Sequence, residues 1–87
     1  MKIKSEFILR KTAGTWIAMA ITPEYDDVEG VLTLNETGAL LWEALVPGCE
    51  IEDLVSVLTK EYEIDAEQAR EDINAFIEKL RRFNCLI

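Results

Sequence analysis

The stretch from Thr33 to Trp42, Thr-Leu-Asn-Glu-Thr-Gly-Ala-Leu-Leu-Trp, constrains this chain more than any other, because a strand runs there into a capped amphipathic helix with no loop between them. Val31, Leu32, Thr33 and Leu34 are apolar or β-favouring residues that suit a short strand. Asn35 follows as an N-cap, its side-chain oxygen able to accept from the free amides of the next turn. A joint of this kind would hold the strand rigidly against whatever helical unit follows.

Elements on either side can be placed around that joint. Phe7 to Thr12 predicts a first strand, Ala13-Gly14 a tight turn, and Thr15 to Thr22 a second strand, which together make a hairpin. In the second strand Ile17, Met19 and Ile21 fall on one face and Trp16, Ala18 and Ala20 on the other, so neither face is polar and the strand is expected at the centre of the sheet. Pro23 to Gly30 holds a strand breaker, four acids and a closing glycine, the composition of a solvated connection. Its acids Glu24, Asp26, Asp27 and Glu29 lack the spacing of a calcium loop.

Downstream, a first helix is predicted from Glu36 to Val46, with Ala39, Leu40, Trp42, Leu45 and Val46 on its apolar face and Pro47-Gly48 as its stop. A second is predicted from Ile51 to Tyr62, with Ile51, Leu54, Val55 and Leu58 inward. The third begins at Asp65, where Gln68 completes a capping-box arrangement and Ile64 can staple onto Ala69. Its stripe of Ala66, Ala69, Ile73, Phe76, Ile77, Leu80 and Phe83 runs down to Asn84, after which Cys85-Leu86-Ile87 can tuck against the core. Three strands followed by three helices give an α+β domain, a three-stranded antiparallel meander against a winged helix-turn-helix-like unit. At 87 residues with 49% hydrophobic content, a single domain with one core is expected.

Charge and inventory exclude several functions. The 17 acids outnumber 9 bases, and a net charge of −8 repels nucleic acid and anionic lipid, so the basic residues of the third helix do not make a DNA reader. No apolar run reaches the ~20 residues that span a bilayer, and the start of the chain lacks a signal-peptide segment; a cytoplasmic protein is expected. With no His, and with Cys49 and Cys85 far apart, no ordinary zinc site can form; the thiols are expected to be reduced, and Cys85 stands one place too late for a prenylation box. There is no His for acid–base work and no Ser or Cys beside a recognisable base; carboxylate pairs remain open, but on the helices the acids fall at solvent-facing positions such as Glu67, Glu71 and Glu78, and the isolated glycines form no phosphate loop, so neither an enzyme nor a cofactor is expected.

Recognition of a peptide or protein remains. Val31 to Leu34 has no Pro or Lys to blunt its edge, so a partner could add there as a fourth strand. The same edge could instead serve a homodimer or be covered by the N-terminus.

The junction Leu34-Asn35-Glu36-Thr37-Gly38-Ala39 with Leu41-Trp42, the Ile51 to Leu58 helix with its Leu54-Val55 pair, Tyr62, Asp72-Ile73, Phe76-Ile77, Leu80 and Leu86-Ile87 occur in an order and spacing that resemble the PqqD-like family over nearly the whole chain. These are small peptide-recognition domains of pathways for ribosomally made, post-translationally modified peptides. The resemblance implies a non-catalytic chaperone that binds the leader segment of a precursor peptide and presents its core to a modifying enzyme, often a radical SAM maturase.

In that family the leader is an added strand on the third strand, in a groove walled by the third helix. By position this implies Val31, Leu32, Thr33 and Leu34 on the strand side, and Asp72, Ile73, Phe76, Ile77 and Leu80 match the third-helix pattern. Ile73, Phe76 and Leu80 also lie at the centre of the apolar stripe, where a residue holds the core. Groove contacts would therefore come from one flank of that stripe, either Asp72, Phe76, Lys79 and Phe83 or Arg70, Asn74, Ile77 and Arg81. Lys79 is the basic rim residue expected to meet an acidic leader side chain, while the acidic connection before the third strand would favour a leader of some basic character. A monomer or weak homodimer is expected. The alternatives are a winged helix-turn-helix module acting in transcription and a structural dimerisation domain.

Overall fold

A two-residue turn starts the sheet. The computed structural model describes residues 1–21 and 31–87. In it β1 (Phe7–Thr12) and β2 (Thr15–Ala20) pair antiparallel with Thr12 opposite Thr15. Ala13 (φ 51°) and Gly14 (φ 80°) between them both take positive φ, which gives the turn the twist of the strands it joins. β3 (Leu32–Leu34) lies on the other side of β2, with Trp16 opposite Leu34 and Ala18 opposite Leu32, so the strand order is β1-β2-β3 and the second strand is central. β2 ends at Ala20 rather than Thr22, and Val31 stands one residue before β3. Thr22 and the acidic connection Pro23 to Gly30 lie outside the described residues.

Alternation along each strand decides what faces the helices. Phe7, Leu9, Trp16, Ala18, Ala20, Leu32 and Leu34 all join or pack against the core. Trp42, Leu45, Leu54, Leu58, Ile73 and Leu80 meet them from the helical side.

α1 (Glu36–Leu45) begins where Asn35 Oδ1 accepts from the Gly38 amide at 2.8 Å, the cap read from the sequence. Its buried face is Gly38, Ala39, Leu41, Trp42 and Leu45; Leu40 is half-buried and Val46, the C-cap, is 49% exposed. The face is thus turned from the expected one: Leu41, spaced i+3 and i+4 from Gly38 and Leu45, takes the core position, and Val46 falls past the last turn. Pro47 and Gly48 (φ 101°) end the helix as expected.

α2 (Ile51–Glu61) buries Leu54, Val55 and Leu58, and Asp53 Oδ2 accepts from the Glu50 amide at 2.9 Å to order its first turn. α3 (Ala66–Arg82) starts at Asp65, whose Oδ1 accepts from the Gln68 amide at 2.8 Å. Gln68 does not close the box; its side-chain amide donates to Asp72 Oδ1 at 3.1 Å. Ala66 is exposed, while Ala69, Ile73, Phe76, Ile77 and Leu80 are buried. Arg70 forks onto Glu52 at 2.9 and 3.0 Å and joins α3 to α2. At the far end Asn84 (φ 60°) reverses the chain, its amide bonded to the Arg81 carbonyl and the Cys85 amide to the Leu80 carbonyl, a Schellman closure.

The two ends of the chain meet. Ile3 bridges Leu86, the Lys4 amide donates to the Cys85 carbonyl and the Ile87 amide to the Lys2 carbonyl, both at 2.8 Å. On its other side this segment holds the α1–α2 turn, the Ile3 amide donating to the Leu45 carbonyl and the Met1 ammonium to the Cys49 carbonyl. Among the described residues the N-terminus therefore covers this turn and not β3. Both thiols are free. Burial pushes Cys85 up to about 11, and burial together with the Asp53 charge raises Cys49. No helix among the described residues is long and apolar enough to cross a membrane.

Candidate functional site

The outer edge of β3 follows from the ladder on its inner side. The Ile21 amide donates to the Glu6 carbonyl at 2.8 Å, continuing the β1–β2 register, so the odd-numbered residues of β2 turn their backbone groups toward β1 and the even-numbered ones toward β3. Trp16 and Ala18 face Leu34 and Leu32. Leu32 and Leu34 thus spend their amides and carbonyls on β2, and Thr33 presents its own to the open edge. Among the described residues, the Thr33 carbonyl meets only a side chain: Lys79 Nζ lies 3.5 Å from it.

Lys79 belongs to the helix that walls this edge. Because Arg70 is tied to Glu52, the flank of α3 carrying Arg70 turns to α2 and the opposite flank turns to β3. Two adjoining cavities result. One, of about 420 Å³, is lined by Leu34, Leu41, Gly38 and Phe76, with Asn35, Thr37, Asp72, Ala75 and Lys79 around them. The other, of about 490 Å³, lies between Leu32 and Phe83, with Ala75, Lys79 and Arg82. Together they form one groove along β3.

Gly38 makes the first cavity possible. A Cβ there would stand 3.3 Å from Asn35 Oδ1, Leu34 Cβ and Phe76 Cε1 at once, so a side chain at this position would crowd the close approach of the first turn of α1 to strand and helix. The Asn35 cap fixes the same turn from the other side.

The structure separates the residues named from the sequence. Leu32, Leu34, Asp72, Phe76 and Lys79 are brought together along the groove, with Phe83 at its end. Thr33 supplies the outward backbone groups and has an exposed side chain; Val31 is exposed just before the strand. Ile73, Ile77 and Leu80 are not brought there: at 0, 4 and 0% exposure they sit in the core, at the centre of the stripe. Of the two flanks left open by the sequence, the structure turns Asp72, Phe76, Lys79 and Phe83 to β3. Ala75 and Arg82 also line the groove and were not named; an alanine outside the apolar stripe and one arginine among several carry no sequence signal. Among the described residues no cluster of His, Cys, Asp or Glu could hold a metal ion.

The fold and groove define an α+β domain of winged helix-turn-helix type in which one sheet edge is left open and walled by the last helix. The chain belongs to the family of coenzyme PQQ synthesis protein D, whose family model matches residues 17–86. Among solved structures it is similar to TbiB1 in complex with the TbiA(beta) leader peptide, at 20% identity and a TM-score of 0.79 over 99% of this chain and 94% of that one. It is also similar to a lasso peptide synthetase B1 complexed with the leader peptide, at 25% identity and a TM-score of 0.73 over 93% of this chain and 89% of that one. No curated protein matches significantly.

Proposed function

We propose that this chain is a peptide-recognition domain that binds the leader segment of a ribosomally made precursor peptide and presents the precursor to a modifying enzyme. The leader adds as a strand to β3, in the groove between β3 and α3. The observation that carries this reading is the outward amide and carbonyl of Thr33 beside a groove lined by Leu32, Leu34, Phe76 and Phe83. Backbone bonds to such an edge supply affinity, and the cavities beside it supply selectivity. Family membership and the two similar proteins solved with leader peptides support it.

In this role the domain is not itself an enzyme, and it acts in the cytoplasm, where precursors leave the ribosome. The modifying enzyme is a radical SAM maturase in the form of the reading that follows the family pattern. The test is amide hydrogen exchange by NMR with a synthetic leader from a precursor encoded near this gene. Binding is expected to slow exchange at Thr33 and shift Ala75 and Lys79. A leader that binds while the Thr33 amide exchanges as before would overturn strand addition.

A further inference from the structure

A second pair of cavities lies on the other flank of α1, and neither shares a lining residue with the β3 groove. One, of about 280 Å³, is lined by Trp16, Ala39, Leu40 and Tyr62; the other, of about 320 Å³, by Leu9, Trp16, Trp42 and Val46. Trp16 and Glu43 border both, so the two make one continuous face. Glu43 stands roughly 150° around the helix from Gly38 and Leu41, which line the groove. We propose that this face is the docking site of the modifying enzyme, which meets it with a segment carrying apolar side chains and an arginine or lysine. The inference rests on the reading of the chain as a domain that presents a bound precursor.

The face holds more apolar surface than the core uses. Leu40, Glu43 and Val46 are three residues apart and form one ridge along α1. Leu40 and Val46 belong to the apolar stripe expected from the sequence, yet Leu41 takes the core position, which leaves Leu40 half-buried and Val46 exposed. Trp16 is half-buried beside them, and Tyr62 is exposed, its hydroxyl oxygen accepting from the Thr37 hydroxyl at 3.2 Å. Large apolar side chains gathered in the open and rimmed by charge mark a surface that another protein covers.

Charge selects the occupant. Three glutamates, Glu36, Glu43 and Glu61, rim the face against one cation, Lys11. The Lys11 ammonium lies over the Trp16 ring, and the one salt bridge among the described residues joins Arg70 to Glu52, so none of the three carboxylates is in an ion pair there. An arginine or lysine brought in beside Glu43 complements them. A second copy of the chain does not: a two-fold contact through this face sets glutamates against glutamates on two chains of charge −8. The leader is engaged on the opposite flank of α1. Presentation requires the enzyme to bind while the leader is still held, and this face stays open when the groove is filled.

The test uses the full chain, the purified modifying enzyme encoded beside this gene, and the synthetic leader. Surface plasmon resonance follows the enzyme and calorimetry the leader. At roughly threefold per exposed ion pair, with repulsion added by reversal, Glu43→Lys/Glu61→Lys is expected to weaken enzyme binding at least tenfold. Val46→Ser should weaken it about threefold, by the apolar area lost. Leader affinity should stay within twofold in both. Glu67→Lys/Glu71→Lys on α3 changes the net charge equally and should leave the enzyme bound as before; all five positions are exposed, and circular dichroism checks that the helices are retained. An enzyme that does not bind the chain, binding that survives Glu43→Lys/Glu61→Lys, or an equal loss in Glu67→Lys/Glu71→Lys overturns this proposal, while slowed exchange at Thr33 leaves strand addition standing. Sedimentation of the chain alone as a dimer that Glu43→Lys/Glu61→Lys dissociates also overturns it and gives the face to a second copy. If the enzyme binds as expected but the leader does not slow exchange at Thr33, docking stands and strand addition falls.

Discussion

At one edge of the sheet β1 runs for six residues and ends in Arg10, Lys11 and Thr12; at the other β3 runs for three and carries no charge. Charged side chains are a common way to keep an edge from pairing with another chain, and β1 has two in succession. Lys11 also lies across the sheet, its ammonium 5.3 Å from the centre of the Trp16 ring. β3 has neither Lys nor Pro, and the cation at its outward carbonyl comes from another element, from Lys79. Length would favour β1 as the receptive edge. Chemistry favours β3, because the helix beside it adds an apolar floor and a charged rim to the free backbone groups.

Paired substitutions on the two sides test this contrast, beginning with the largest effect. Leu34→Ala removes a buried anchor of β3 and should cost about 2–5 kcal/mol in urea unfolding. Leu9→Ala on β1, at a half-buried site, should cost roughly half as much; equal costs would mean that the two edge strands are held alike. Thr33→Pro removes the one outward amide of β3 and should weaken leader binding about tenfold by calorimetry, the effect of one hydrogen bond at the upper end of its net range. Lys11→Pro, which also removes an outward amide but on β1, should leave binding unchanged.

Gly38→Ala acts on the floor of the β3 side only. Crowding against Leu34 and Phe76, at about 1–3 kcal/mol, outweighs the gain in helix preference of about 1, for a net loss of roughly 1 kcal/mol and weaker binding. Ala13→Asn, in the turn that supports β1, relieves a left-handed alanine and should stabilise by about 0.5 kcal/mol without touching binding.

Most of the fold was legible because it rests on local signals. Asn35 and Asp65 cap where their positions before apolar runs say they should, Ala13-Gly14 turns the hairpin, and the third-helix stripe is buried along most of its length. The groove was only half legible. Both flanks of α3 carry polar residues at similar spacing, and what separates them is the pairing of Arg70 with Glu52, a contact between residues 18 apart. The direction of the Thr33 backbone groups is likewise a property of register, set by β2. The tie between the two chain ends left no mark either, because a bridge as short as Ile3 to Leu86 shows no periodicity. The rotation of α1 that seats Leu41 in place of Val46 reflects where its last turn ends.

The joint at Asn35 has a thermodynamic consequence. Because its side chain holds the Gly38 amide while Gly38 packs on Leu34 and Phe76, strand edge and groove floor form one rigid piece before any ligand arrives. Under the proposed strand addition, most of the entropy lost on binding then falls on the incoming peptide, so stiffening that peptide, by cyclisation or by Pro outside the paired residues, should raise affinity by slowing release rather than by adding contacts.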